Sequence, residues 1–177
     1  MKTKEFIKQA IGAVHYYVVA HLDKTDELPV FDTYVVWSCA TARNHKAMLS
    51  TTLPDGMYYE VIYDDSGEEL MLYAYKKLEN KTILEGKEII SMDMFIRESA
   101  EEVTRFIALK QDLTNHFAVY PTWSCKALQN WKTMMKTTDT GDSLYFEITF
   151  NGDKSEGYFD AYKHFDTISI SLEDNQW

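Results

Sequence analysis

The sequence predicts an α+β protein made of two tandem copies of one small domain, and three observations support this. Trp37-Ser38-Cys39 recurs as Trp123-Ser124-Cys125, 86 positions later. Each copy opens with an apolar stripe at helical spacing. Each stripe is followed by short alternating segments between turn residues, which is typical of an antiparallel sheet. We therefore expect domains at residues 1–88 and 89–177, each a helix packed on a meander of about four strands, related by a pseudo-two-fold axis.

The repeat continues beyond these tryptophans, with one inserted residue changing the offset from 86 to 87. The matching pairs include Asn44 with Asn130, Lys46 with Lys132, Tyr58 with Tyr145, Glu60 with Glu147, and Tyr75 with Tyr162. The leading helices align at an offset of 89, so Tyr17 corresponds to Phe106. Because rare residue types keep their spacing, duplication explains the pattern better than chance.

The first helix is expected over residues 4–22, with Thr3 as its N-cap. The first copy's strands are expected at residues 34–39, 46–52, 57–63 and 70–76, with turns at Pro54-Asp55-Gly56 and at residues 64–67. The second helix is expected over residues 93–110, and Asn151-Gly152 marks a hairpin in the second copy. A short apolar piece at 82–84 or 168–171 is a candidate fifth strand.

Composition excludes several classes of protein. The chain is 45% hydrophobic with only 7 Gly and 3 Pro, so it is neither disordered nor collagen-like. A net charge of −10 argues against bulk binding of nucleic acid. Two cysteines cannot form a disulfide framework, and no targeting signal or membrane-spanning stretch is recognisable. We expect a cytoplasmic protein that needs no cofactor and does not bind a membrane.

The third strand separates the two faces of the first copy's sheet. Tyr59, Val61 and Tyr63 alternate along it, and their second-copy equivalents are also apolar, so we assign this face to the core. Tyr58 and Glu60 lie on the opposite face and recur in the second copy. Burial alone does not explain why a tyrosine and a glutamate are retained there.

The candidate catalytic residues come from that opposite face. They are Lys46, Tyr58 and Glu60 in the first copy, and Lys132, Tyr145 and Glu147 in the second. Each lysine and glutamate lie on neighbouring strands, where they form either a cross-strand pair on a solvated face or the acid, base and phosphate contact of a ribonuclease. The register of the hairpin decides whether the charges meet.

Other conspicuous residues have simpler interpretations. Cys39 and Cys125 are interpreted as buried free thiols, because no Cys-x-x-Cys or histidine pair accompanies them and no metal site is expected. Trp37 and Trp123 are interpreted as core anchors, with a stacking platform for a base or ligand as the alternative.

The candidate binding residues are mostly acidic or tyrosine. They are Asp64, Asp65, Glu68, Glu69, Tyr73, Tyr158 and Asp160. The four acidic residues of the first turn are either solvated surface or a patch that imitates phosphates toward a basic protein groove. Tyrosine is enriched in protein interfaces, which favours a binding role for the exposed aromatic residues.

These motifs resemble a small, uncharacterised domain family found in phages and prophages of Gram-positive bacteria. The resemblance lies in the two Trp-Ser-Cys segments, in DGMYYE at residues 55–60, in NGDK at 151–154 and in DAYK at 160–163. It implies a mobile-element origin and the cytoplasm of a bacterial host. It implies no catalytic residue.

Three functions follow as hypotheses. The first is an interaction protein that inhibits host defence, for instance an anti-CRISPR inhibitor of a Cas nuclease, whose partner is a defence protein or protein–RNA complex. The second is a metal-independent ribonuclease acting on guide or other RNA. The third is a small-ligand-binding module. Duplication also suggests that the chain is a monomeric pseudo-dimer that replaces a dimer of single-copy relatives.

Overall fold

A computed structural model of the chain describes residues 1–22, 28–40, 44–64, 69–110, 117–138 and 144–171. These residues form two α-helices and one antiparallel sheet of eight strands, so the fold class is α+β. The elements are α1 (Thr3–His21), β1 (Thr33–Ala40), β2 (Asn44–Thr51), β3 (Met57–Asp64), β4 (Glu69–Ile83), α2 (Met92–Lys110), β5 (Val119–Ala127), β6 (Asn130–Thr137), β7 (Leu144–Asn151) and β8 (Glu156–Ser171). The hydrogen-bonded strand order is β1-β2-β3-β4-β8-β7-β6-β5.

The chain divides into two compact units. The first contains Met1–Lys76 together with the residues from Phe165 onward, and the second contains Lys77–His164. The two long strands, β4 and β8, therefore each contribute residues to both units. The predicted end of the fourth strand at residue 76 was wrong, because β4 continues through the segment predicted as a separate fifth strand and ends at Ile83.

The core of the first unit lies between α1 and one face of its strands. Helical spacing places Phe6, Ala10 and Val14 on one side of α1, and all three are fully buried. They pack with the inward face of β3, where Tyr59 and Val61 are buried as the alternation predicts. Near the chain's end, Ile168 and Ile170 pack against the same cluster. The apolar period of each element thus determines which side it buries.

The second unit has an equivalent core under α2. Phe95, Val103 and Phe106 of the helix pack with Phe146 and Phe159 of the sheet. The rings of Phe106 and Phe146 meet edge to face, with centroids 5.7 Å apart. The same helix-on-sheet packing therefore occurs in both halves of the duplicated chain.

Two local predictions were wrong. Thr3 is the first helical residue and not the N-cap, which is Lys2, and Lys2 makes no side-chain capping hydrogen bond. Trp37 and Trp123 are half-buried and belong to neither helix-packed core. A register irregularity in each strand, between Val35 and Trp37 and between Pro121 and Trp123, explains this placement. The extra residue moves each tryptophan to the sheet face opposite its helix.

Candidate functional site

The first-copy lysine and glutamate meet across the β2–β3 hairpin. In the register of this hairpin, Lys46 is opposite Ile62 and Glu60 is opposite Met48, so the two charges lie diagonally on one face. Lys46 Nζ is 2.6 Å from Glu60 Oε1. Diagonal neighbours on a sheet are within reach of long side chains, and a charge-assisted hydrogen bond forms.

The second copy repeats this pair between β6 and β7. Lys132 is opposite Thr149, Glu147 is opposite Met134, and the Lys132 ammonium donates to Glu147 Oε1. The same diagonal register therefore brings the same charges together in both units. We call the two sites the Lys–Glu pairs.

The Lys–Glu pairs are not on a solvated face. Glu60 is 4% exposed and Glu147 5% exposed, although both side chains point away from the helix-packed side of the sheet. The Tyr75 hydroxyl lies 3.5 Å from Glu60 Oε2, and burial, followed by the nearby Glu60 charge, raises the pKa of this tyrosine. Glu60 therefore faces a cation and a phenol that stays protonated at neutral pH.

The tyrosines of the candidate catalytic set differ between the copies. The Tyr145 hydroxyl donates to Met134 Sδ at 2.9 Å, and the residue is only 1% exposed. Tyr58 is half-buried on β3, opposite Tyr75 of β4. A general acid must reach the substrate, so the depth of Tyr145 is unfavourable for proton transfer.

The chemistry of the Lys–Glu pairs follows from these contacts. Each carboxylate accepts from an ammonium group inside the protein, so an oxygen that a base would offer to a substrate is already engaged. A buried ion pair is also weak evidence for stability, because desolvation offsets much of the attraction. The pair is repeated in both copies, which indicates that it is specifically required on the sheet face opposite the helices. Each charge pair lies among aromatic and methionine side chains.

The cysteines lie next to these pairs on the outer strands. Cys39 is opposite Lys46 and Cys125 is opposite Lys132, and both are free thiols of intermediate burial. Burial raises the pKa of the Cys125 thiol even though Lys132 acts in the opposite direction. A raised pKa leaves little thiolate at neutral pH, which is unfavourable for a nucleophile.

The predicted binding residues are dispersed. Asp64 is exposed at the end of β3, opposite Glu69, which accepts a hydrogen bond from Ser169 at 2.9 Å. Tyr73 is opposite Glu60 and half-buried. The remaining acidic residues of this turn, Asp65 and Glu68, lie outside the described residues.

In the second unit, the other predicted binding residues are held by neighbouring side chains. The Tyr158 hydroxyl donates to Glu156 at 2.9 Å. Asp160 accepts from Lys77 and from Asn80, each at 2.7 Å. Asp160 is therefore paired with neighbouring side chains, which makes it a poor binding group for an external cation.

An apolar groove that the sequence reading missed lies in the first unit, between α1 and the start of β1. It has a volume of about 620 Å³, and its lining includes Ile11, Gly12, His15, Tyr16, Val19 and Phe31. We call it the α1–β1 groove. Tyr16 is 55% exposed at its side, and the exposed apolar residues Leu28, Val30, Tyr34 and Val36 lie in the adjoining chain. An apolar groove with an exposed tyrosine at its side is a candidate binding site.

Several residues that line the groove are not repeated in the second copy. At the helix offset of 89, Gly12, Tyr16 and Val19 correspond to Glu101, Arg105 and Ala108. Charged residues thus occupy the outer side of α2 where α1 has a glycine and a tyrosine. In the sequence, this groove is indicated by a second apolar side of the first helix. The second helix does not repeat that side, so a comparison of the two copies does not reveal it.

The sequence repeat agrees with a comparison to protein families. A family of unknown function, DUF6275, matches the chain twice, over residues 6–85 and 93–172. The chain belongs to the DUF6275 family. It is a tandem duplication of the DUF6275 domain, and each match covers one helix and the strands that follow it. No curated protein and no solved structure matches this DUF6275 chain.

Two further findings concern the part of the chain that the structure describes. No group of three or more His, Cys, Asp or Glu side chains in that part of the DUF6275 chain has an arrangement that could hold a metal ion. Neither α1 nor α2 is long and apolar enough to cross a bilayer.

Proposed function

We propose that this DUF6275 protein is a phage or mobile-element protein that acts in the bacterial cytoplasm by binding and inhibiting a host CRISPR nuclease. The observation that carries the proposal is the α1–β1 groove, an apolar groove whose lining residues Gly12 and Tyr16 are replaced by charged residues in the second copy. Selection for folding alone would favour polar residues there, as the second copy has.

The groove also suggests how a partner is held. β1 is at one end of the strand order among the described residues, so its outer edge is a template for an added strand. An extended segment of the nuclease pairs with this edge and places apolar side chains in the groove. Nucleases that hold guide and target strands present basic surfaces, which complement a chain of net charge −10.

The contacts at the Lys–Glu pairs favour an inhibitor over a ribonuclease. Glu60 and Glu147 are buried and bonded to lysine, and Tyr145 is inaccessible. A cleavage mechanism needs a base that reaches the substrate. The three contacts together support a structural role for these charges.

The test incubates the protein with Cas9 and guide RNA, and then measures complex formation by size-exclusion chromatography and RNA length on a denaturing gel. We expect a stable complex with intact guide RNA. Shortened RNA that disappears in Glu60→Gln/Glu147→Gln would establish the ribonuclease instead. The absence of both a complex and RNA cleavage, with Cas9 and with other defence nucleases, would overturn the proposal.

A further inference from the structure

A second, smaller pocket in the first unit differs in character from the α1–β1 groove. It has a volume of about 160 Å³, and its walls include Tyr17, His21, Asp55, Tyr59 and Phe165. We call it the Tyr17–Tyr59 pocket. Three aromatic rings and a carboxylate around a small space are the chemistry that binds an organic cation, because ring faces carry negative potential.

The rings of this pocket are held in place by packing. Tyr17 and Tyr59 meet edge to face, with centroids 5.8 Å apart. His21 stacks on Tyr17 at 4.1 Å, and its Nδ1 is 2.8 Å from the Tyr17 carbonyl oxygen. Phe165 is 67% exposed at the mouth. These contacts therefore fix the rings of Tyr17, Tyr59 and His21 relative to one another.

Two carboxylates and one ammonium group lie around the pocket. The Tyr17 hydroxyl donates to Asp166 Oδ2 at 2.9 Å. Asp55 Oδ1 accepts from the Met57 backbone N–H in the turn before β3. Burial, followed by the carboxylate of Asp55, raises the pKa of Tyr59. The nearby Lys76 ammonium donates to the Asp55 backbone carbonyl oxygen.

The second unit shows what the equivalent place accepts. There the Lys110 ammonium lies 5.7 Å from the ring centroid of Phe106 and 3.3 Å from Glu79 Oε2. An aromatic ring and a carboxylate thus hold an alkylammonium group that the chain itself supplies.

The repeat relates this arrangement to the Tyr17–Tyr59 pocket. At offsets of 89 in the helices and 87 in the strands, Phe106, Lys110 and Glu79 correspond to Tyr17, His21 and Asp166. The first unit keeps the ring and the carboxylate but replaces the lysine with histidine. Histidine is shorter than lysine and carries no ammonium group, so the group that Lys110 supplies in the second unit is missing in the first.

We propose that the Tyr17–Tyr59 pocket binds an alkylammonium group from outside the chain, beside the Tyr17–His21 stack that replaces the Phe106–Lys110 contact of the second unit. The group is a lysine side chain of a partner protein or a free small amine. This inference goes beyond the proposed function and does not depend on it, since a free amine tests it directly.

The test titrates the full-length protein with n-butylammonium chloride at constant ionic strength and follows the aromatic signals of His21 and Tyr59 by NMR. We expect saturable shifts with a dissociation constant on the order of millimolar, as suits one cation among a few rings. Under the same conditions n-butanol, which lacks the charge, should bind at least about tenfold more weakly. No saturable shift, or equal binding of the alcohol, would overturn the proposal.

The deciding variant is His21→Lys, which fills the pocket as in the second unit. We expect it to fold normally and to bind n-butylammonium at least about tenfold more weakly. The matched control is Lys110→Gln in the second unit, which should leave the dissociation constant read from the His21 and Tyr59 signals unchanged. Unchanged binding by His21→Lys would place the site elsewhere. If His21→Lys does not fold, Asp166→Asn serves the same purpose, with weaker binding expected and unchanged binding contradicting the proposal.

A further arm separates the two sources of the cation. A blocked Gly-Lys-Gly peptide that binds more tightly than n-butylammonium identifies a partner's lysine side chain. Equal or weaker binding of the peptide identifies a free amine. Both results support an alkylammonium site, whereas binding of neither probe contradicts it.

Discussion

Glu60 and Glu147 are acidic residues that the protein buries on the sheet face opposite its helices. Each is matched by one lysine two register positions away. Breaking such a pair lowers the free energy of unfolding, because removal of the lysine leaves a buried carboxylate without its lysine partner. The second-unit pair offers the simplest experiment, since Arg105, whose side chain is 59% exposed, pairs with Glu102 in the same unit and allows a comparison.

We expect Lys132→Met to lower the free energy of unfolding by roughly 3 kcal/mol, measured by urea denaturation. The double variant Lys132→Met/Glu147→Leu should recover most of that loss, because no unpaired charge remains. The control Arg105→Met should cost less than about 1 kcal/mol, since its guanidinium is solvated. Equal costs for Lys132→Met and Arg105→Met would contradict the burial of the pair.

Two buried tyrosines of the first unit make stability depend on alkaline pH. Burial raises the pKa of both Tyr59 and Tyr75 above the ordinary value near 10. Above that pH the unfolded chain releases these protons while the folded chain retains them, so the free energy of unfolding falls as pH rises. Below it both states are protonated and the contribution is complete.

Tyr59→Phe, which installs the residue found at Phe146, should flatten this dependence. Above pH 10 the slope should decrease in magnitude by up to about 1.4 kcal/mol per pH unit, measured by urea denaturation between pH 9 and 11.5. Tyr120→Phe, at an exposed position, is the control and should leave the slope unchanged. An unaltered slope in Tyr59→Phe would show that Tyr59 titrates normally.

At the residue scale, sequence reasoning succeeded where alternation decides the outcome. Tyr59, Val61 and Tyr63 were predicted in the core and are buried there. Trp37 was misplaced because a bulge reverses the face of every following side chain, and no residue type signals a bulge securely. The burial of Glu60 also lies beyond sequence reasoning, because a charge on a strand ordinarily indicates solvent.

At the scale of elements, the turn between β7 and β8 depends on close backbone packing. Asn151 Oδ1 accepts from the backbone N–H groups of Asp153 and Lys154, which fixes the turn. A Cβ added at Gly152 would lie 2.3 Å from the backbone oxygen of Gln129. Real Cβ atoms do not come that close to a backbone oxygen, so either the turn at Gly152 or the backbone at Gln129 must move.

Gly152→Ala should therefore destabilise the protein by about 2 kcal/mol or more, measured by thermal or urea unfolding. Gly86→Ala is the matched control, because its added Cβ meets nothing within 4 Å and only its positive φ is unfavourable. We expect about 1 kcal/mol there. A smaller effect at Gly152 than at Gly86 would contradict the packing described for this turn.

Helix positions were predictable to within a residue, since the apolar stripes of α1 and α2 extend over several turns. The lengths of β4 and β8 were not predictable. Residues 77–83 contain two lysines, a glutamate and an asparagine, and the pattern lacks the apolar alternation of a typical strand. Their place in the second unit, and not in the first, depends on pairing between distant segments.

At the scale of the whole molecule, duplication has a consequence for assembly. A chain that carries two DUF6275 domains already supplies two copies of whatever surface a single-copy relative would use to dimerise. We predict that the protein is a monomer of 20.6 kDa in solution, measured by light scattering across a range of concentrations. A stable species of twice that mass would contradict the idea that fusion replaced association. The two-fold relation between the copies stays a prediction.

The most direct test of the account compares inhibition of Cas9 DNA cleavage by three proteins. These are the wild type, Tyr16→Arg, which gives the α1–β1 groove the residue found at Arg105, and Ala108→Arg, which adds the same charge at an exposed position of α2. We expect the wild type and Ala108→Arg to inhibit cleavage equally. We expect Tyr16→Arg to lose at least about tenfold in potency, or about 1.4 kcal/mol, while remaining folded. Equal inhibition by all three proteins, or none by the wild type, would contradict the proposed role of the α1–β1 groove.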